Sequence, residues 1–266
     1  MVNAKIRFNL FPGGKKKCVT FSYDDGPVYD YILTEIFDRF GAKCTYNLNS
    51  NRIDREDTIS ADFMRELSTR HEIAIHGFNH PFWEKCNHDQ LVADIYEDKK
   101  FLESVIKKPI IGGAYPYGTY NSEVVKTLDA LGIKFCRTTN ATFNYSVPNN
   151  FLEWHPTCHH KNGVECAKNF LCYRYDNLPV LYIWGHSYEF NDNDNWEEME
   201  EILTVLSESD DIWYATNGEI YDYFTAMRAL RVDLNGNSVY NPTATTVYAT
   251  VDGKQMSFPP GLTEIK

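Results

Sequence analysis

Five side chains in this sequence are of types that can hydrolyse a bond together: Asp24, Asp25, His76, His80 and His186. His76 and His80 enclose Gly77, Phe78 and Asn79. A four-residue step returns both imidazoles to one side of a helical turn or tight loop, as ligands of one ion require. One added carboxylate gives a two-histidine, one-carboxylate set with positions left for water and substrate. Zinc in such a set lowers the pKa of bound water toward about 7, making a nucleophile at neutral pH. Cobalt, nickel and manganese accept the same donors, so the expected cofactor is one divalent metal ion, zinc first. Adjacent carboxylates divide the work: one ligates, the other takes a proton from the water. His186 is the natural acid for the leaving group. The set implies a metal-dependent hydrolase.

These residues need elements that bring them together. Residues 18–23 (CVTFSY) read as a strand ending at the Asp24-Asp25-Gly26-Pro27 turn. Apolar residues at helical spacing follow over 29–40, and Gly41 stops them. Strands are expected at 43–48, 72–75, 110–115, 134–138, 180–184 and 212–214. Helices are expected at 61–69, 89–106, 122–131, 164–173, 196–206 and 217–230. Residues 140–161 form a long irregular stretch with two prolines, where function often resides. The alternation implies parallel strands with right-handed crossovers. The expected fold is α/β, a distorted (β/α)7-8 barrel, with an open doubly wound sheet second. Asp24, Asp25, His76, His80, Tyr115, Tyr117 and His186 all fall at C-terminal strand ends, which face one rim of such a barrel. Residues 1–230 form the barrel in this reading. Residues 231–266 alternate in strand fashion around an Asp252-Gly253 turn and form a small β-hairpin appendage packed on it.

The bulk of the sequence narrows the partners. A formal net charge of −11 argues against a nucleic-acid backbone. No segment approaches the roughly 18 apolar residues of a membrane span. The seven cysteines are odd in number, and Cys18, Cys44 and Cys136 fall in strands like small core residues. That pattern, with no leader peptide visible at residues 1–10, favours a cytoplasmic protein, or a secreted one if a leader has been trimmed. Sequence leaves the oligomeric state open.

The motifs, in their order, resemble the polysaccharide deacetylases of the NodB-homology type, carbohydrate esterase family 4. Ser22-Tyr23-Asp24-Asp25-Gly26 resembles the family's T-F-D-D-G, and His76 to His80 its H-x-x-x-H. Ala114-Tyr115-Pro116-Tyr117-Gly118 resembles R-x-P-Y/F-G without the arginine. Ile183-Trp184-Gly185-His186 stands where the last motif carries its histidine. The resemblance implies Asp24 as general base, Asp25, His76 and His80 as metal ligands, and His186 as general acid. It implies an oxyanion contact at the Tyr117 backbone N–H. Tyr115, Arg137, Trp184 and His160 are further candidates on the substrate side. Arg137, at the end of the strand after Ala114, is the candidate for the missing arginine. The fourth motif, whose aspartate and tryptophan steer the acid histidine, has no match. Glu153-Trp154 and the loop through His155, His159 and His160 occupy its region.

The implied activity is removal of acetyl groups from N-acetylated (or O-acetylated) carbohydrate, the N-acetyl case acting at carbon–nitrogen bonds other than peptide bonds. Two other readings compete. Small linear or cyclic amides would suit the same metal site. A carbohydrate-binding barrel that has lost turnover would account for Ala114. Taken singly, the Asp-Asp-Gly-Pro run is a plain turn and each histidine a packed or loop residue.

Overall fold

The computed structural model describes residues 4–265. The outermost positions of the two expected units, 1–3 and 266, lie outside them. Strand β1 (Ile6–Leu10) precedes the central strand β2 (Lys17–Asp24), in which every residue is buried. Helix α1 (Asp30–Phe40) returns from it and stops at Gly41, whose φ of 64° is the left-handed cap that glycine supplies without strain. The chain continues through β3 (Cys44–Leu48), α2 (Ala61–Leu67), β4 (Glu72–Ile75) and α3 (His88–Ile106). Asn87 and Gln90 start α3 with a reciprocal capping box. Next come β5 (Gly112–Ala114), α4 (Ser122–Ala130), β6 (Phe135–Arg137), β7 (Cys158–His159) and α5 (Gly163–Cys172). The barrel ends with β8 (Val180–Gly185), α6 (Tyr188–Asn193), α7 (Glu197–Ser207), β9 (Ile212–Tyr214) and α8 (Asn217–Ala229).

The sheet runs β6-β5-β4-β3-β2-β8-β7, and β9 pairs with the start of β2. All pairs are parallel. This is the expected distorted barrel, curled and backed by helices. Residues 140–161 are largely irregular, as expected, with short turns and one two-residue strand. They span the gap between the sheet's two ends. The Trp154 N–H donates to the Cys136 carbonyl (3.1 Å), and the Thr138 N–H donates to that of Trp154 (3.0 Å). Cys158–His159 then joins the edge of β8. Its two residues are too few to leave a period in the sequence.

Past α8 the chain is antiparallel: β10 (Arg231–Val232), β11 (Ser238–Asn241), β12 (Val247–Val251), β13 (Lys254–Phe258) and β14 (Gly261–Glu264). They form two small sheets, β1-β12-β13 and β10-β11-β14. The β12–β13 hairpin turns on Asp252 (φ 48°) and Gly253 (φ 80°), as two-residue turns require. The Tyr223 hydroxyl on α8 donates to the Leu10 carbonyl and accepts from the Tyr248 N–H, tying the β1-β12-β13 sheet to the barrel. No helix among the described residues is long and apolar enough to cross a membrane. The described cysteines are all free thiols, and Cys18, Cys44 and Cys136 are buried in the strands expected for them.

One carboxyl ties the barrel's N-terminal end together. Glu72, at the start of β4, accepts from the Thr45 hydroxyl (2.7 Å) and the Gly218 N–H (2.9 Å) in the first turn of α8. Gly218 allows this approach, because a Cβ there would meet the carboxyl oxygen at 2.2 Å. Burial pushes the Glu72 carboxyl up from 4.5 to about 7, against the opposing pull of these two bonds. A group raised in the folded state stabilises below its unfolded pKa and loses that contribution as pH rises through the folded one. Urea unfolding midpoints should therefore fall as pH climbs from about 4.5 to 7. Glu72→Gln, which cannot ionise, should flatten that slope; an unaltered slope in the variant contradicts the assignment.

Candidate active site

Asp24 is the last residue of β2, and its carboxylate is 2% exposed. Isolated, such a charge would take up a proton. Here the guanidinium of Arg137, itself fully buried, meets Asp24 Oδ2. Asn47 Nδ2 donates to Asp24 Oδ1 (2.8 Å). Ser22 Oγ accepts from Arg137 Nε (3.2 Å) and from Asn47 Nδ2 (2.8 Å), closing a network of four side chains. Burial raises the Asp24 carboxyl, but Arg137, His76 and His186 outweigh it and hold it below its ordinary value. Arg137 stands directly across from Ala114 in the parallel register of β5 and β6. The cation that meets Asp24 thus lies on the strand next to the one that carries Ala114. The Arg137 guanidinium also lies 4.4 Å from the centre of the Trp184 ring.

Asp25 follows at φ 76°, a left-handed position that is costly for a non-glycine residue. His80, at φ 52°, shares this feature. His76 Nδ1 lies 2.9 Å from the Ala114 carbonyl. Only a donating Nδ1–H satisfies that contact, so the Nε2 lone pair points toward Asp25 and His80. His76 Nε2 and His80 Nε2 are 3.1 Å apart, and each is 3.7 Å from Asp25 Oδ1. Atoms held about 2 Å from one shared ion have this kind of spacing. The donor chemistry and the spacing of this trio fit a divalent ion.

Carboxylates on α3 hold the loop that carries both histidines. Asp98 accepts from the His76 N–H (3.0 Å) and the Ser50 N–H (2.8 Å). Asp94 accepts from the Asn79 N–H (2.9 Å) and the Trp83 indole (2.8 Å). Asn49 Nδ2 donates to the carbonyls of His76 (2.8 Å) and Gly77 (2.9 Å). Sequence reasoning missed both aspartates, although a signal existed. They stand at buried helical spacing with Leu91, Ile95 and Leu102, polar residues where a core stripe calls for apolar ones.

His186, one residue past β8, points Nε2 toward Asp25 Oδ2 at 3.9 Å. Its Nδ1 lies 2.7 Å from Glu189 Oε1. Burial lowers the His186 pKa, but Glu189, Asp24 and Asp25 overcome this and raise it. Glu189 was also missed, because α6 is only six residues long and leaves no period. Ser187 Oγ donates to the buried Asp30 (2.5 Å), pinning the segment after His186 to the start of α1.

Tyr117 occupies a left-handed turn (φ 58°), is 51% exposed, stacks on Phe82 at 3.8 Å and sets its edge against His80. Two other candidates need correction. Tyr115 is 1% exposed, and its hydroxyl donates to the Leu152 carbonyl (2.6 Å). Side chains one residue apart in an extended strand leave on opposite faces, which carries Tyr115 into the core. His160 is likewise buried rather than on the substrate side. Its ring stacks on Phe190 at 4.2 Å, close to Gly185, where a Cβ would collide with His160 Nδ1 at 2.0 Å. Trp184 is nearly buried between Arg137, His159 and His186.

The Arg137–Asp24 pair generates a stability test. Arg137→Met strands a buried carboxylate and should cost about 3–5 kcal/mol in urea unfolding. Adding Asp24→Asn should restore a large part of it. Additive losses in the double variant would contradict direct pairing.

The comparisons with known proteins bear on this geometry. The model of the family described as polysaccharide deacetylase matches residues 12–136. The peptidoglycan-N-acetylglucosamine deacetylase of Bacillus cereus is 28% identical over 119 residues, 44% of this chain and 54% of that protein. The chain thus spans about half the length of that relative. A solved Mycobacterium smegmatis protein is 17% identical, covers 82% of this chain and 93% of its own, and superposes with a TM-score of 0.62. A family 4 acetyl xylan esterase from Clostridium thermocellum, solved with a cobalt ion, is 15% identical over 77% of this chain and 90% of its own, with a TM-score of 0.56. These two structures share the fold. Through residues 12–136, which carry the aspartate pair and both spaced histidines, the chain is related to the polysaccharide deacetylases.

Proposed function

We propose that this chain is a metal-dependent hydrolase that removes acetyl groups from N- or O-acetylated carbohydrate. The observation that carries the reading is the convergence of Asp25 Oδ1, His76 Nε2 and His80 Nε2 beside the Arg137-paired carboxylate of Asp24. Asp25, His76 and His80 would hold one divalent ion, zinc first, with cobalt, nickel or manganese as alternatives. When bound, such an ion supplies Lewis acidity and lowers the pKa of water toward about 7.

The side chains do the rest. Asp24, kept ionised by Arg137, accepts a proton from the attacking water. Water oxygen bonds to the acetyl carbon, and the Tyr117 N–H helps hold the oxygen that becomes negative. His186 Nε2 gives its proton to the leaving nitrogen or oxygen as that bond breaks. Acetate and a free amine or alcohol are the products. Exposed Tyr117 on its Phe82 platform offers an apolar ring face to a sugar. Residues 231–266 serve as an appendage to the barrel of 1–230 in this reading. Arg137 at Asp24 supports a barrel with turnover over one that has lost it. Small linear and cyclic amides form the second substrate class.

The test pairs acetate release from acetylated chitin, peptidoglycan and xylan fragments, and from small amides, with metal analysis. Asp24→Asn should lower kcat by about 10²–10⁴-fold and keep the metal. Asp25→Ala, His76→Ala and His80→Ala should each lose metal and activity together. Full activity in Asp24→Asn sinks the base assignment. No turnover of any compound by the metal-loaded protein sinks the hydrolase reading.

A further inference from the structure

The side chain that fixes the proton on His186 belongs to none of the expected motifs. Glu189 Oε1 lies 2.7 Å from His186 Nδ1, three residues apart across the first turn of α6. The Glu189 N–H donates to the His186 carbonyl (3.2 Å), so the backbone holds the same turn. Two further imidazoles from the loop after β7 converge on this carboxylate. His159 Nε2 is 3.2 Å from Oε1, and His160 Nε2 is 3.5 Å from Oε2. The Lys161 ammonium is 3.2 Å from Oε2.

The far nitrogens decide which atoms carry protons. His159 Nδ1 accepts from the Lys161 N–H (3.4 Å). His160 Nδ1 faces the Tyr23 hydroxyl (3.3 Å), in a ring held by stacking between Tyr23 and Phe190. With Nδ1 accepting on His159, its Nε2 bears hydrogen and donates to Glu189 Oε1, while His160 Nε2 stands at ion-pair distance from Oε2. Burial pushes the Glu189 carboxyl up, but the bonds from His159, His160 and His186 prevail and hold it far below its ordinary range. An acceptor-only group fixed in this way admits only a donor on His186 Nδ1.

We infer that Glu189, clamped by His159 and His160, is the positioning residue for His186. It holds His186 with Nδ1–H toward itself, which leaves Nε2 as the atom that hands the proton to the leaving group. The clamp reaches back to the first motif, because Tyr23 carries the hydroxyl that fixes His160. His159, His160 and Glu189 also have ligand-type atoms close together. The proton on His159 Nε2 and the neighbouring Lys161 ammonium oppose a cation there. The proton-transfer part of the inference rests on the proposed function; the tautomer part does not.

Two measurements separate them. The first is imidazole ¹⁵N NMR of histidine-labelled protein, wild type against Glu189→Gln and Glu189→Ala. His186 should be an Nδ1–H donor in wild type and should lose that proton's slow exchange in both variants. The second compares N-acetylglucosamine oligomers, whose amine must be protonated, with p-nitrophenyl acetate, whose leaving group needs no proton. Glu189→Ala should lower kcat on the oligomers by about 10- to 100-fold with little change in KM. The aryl ester should change little, and Glu189→Asp should recover part of the loss. Equal losses on both substrates, or an unchanged His186 signal, overturn the inference. A second zinc equivalent that disappears in His159→Ala does so too. If wild type cleaves neither substrate, the proposed function fails, and the NMR result still decides the positioning claim.

Discussion

A carboxylate buried at the end of a central strand has to be met by a positive charge, and the rest of the site is arranged around that requirement. Asp24 lies deep enough that burial alone would favour its protonated form. The Arg137 guanidinium, with Asn47 and Ser22, reverses the balance. Parallel pairing makes this possible, because Ala114 and Arg137 are register partners on neighbouring strands. One strand supplies a carbonyl to His76 Nδ1, and the next supplies the cation to Asp24. The guanidinium beside Asp24 thus comes from position 137, the register partner of Ala114.

The same logic extends outward in layers. Asp25 and His80 sit in left-handed backbone, which persists only where surroundings hold it. Those surroundings are Asp94 and Asp98 on α3, Asn49 after β3, and Asp30 on α1. The three aspartates accept a hydrogen bond from, and Asn49 donates to, a loop that carries a site residue or its immediate neighbour. Helices outside the sheet thus set the positions of groups at its rim. Sites of this kind need their supporting contacts fixed to a fraction of an ångström.

How much of this was legible in the sequence depended on the reach of the signal. Asp24, Asp25, His76, His80 and His186 stood out by type and by position after strand patterns, and the structure gathers all five at one rim. The barrel could be read because each βα unit leaves a long apolar period. Short elements leave none, so β1, β7 and α6 went unseen, and Glu189 with them. Asp94 and Asp98 were hidden by an assumption that core positions are apolar. Tyr115 and His160 carried suitable chemistry, but strand alternation and ring stacking turn them inward. Arg137 was reachable from sequence only as a guess about adjacent strands, since register is a tertiary fact.

The proposed hydrolysis rests on Asp25, His76 and His80 sharing one ion. The most direct measurement is anomalous diffraction at the cobalt edge from a crystal of the protein soaked in a cobalt salt. The account predicts a single strong peak about 2 Å from Asp25 Oδ1, His76 Nε2 and His80 Nε2. A protein that leaves that point empty, or carries its peak among His159, His160 and Glu189, contradicts it.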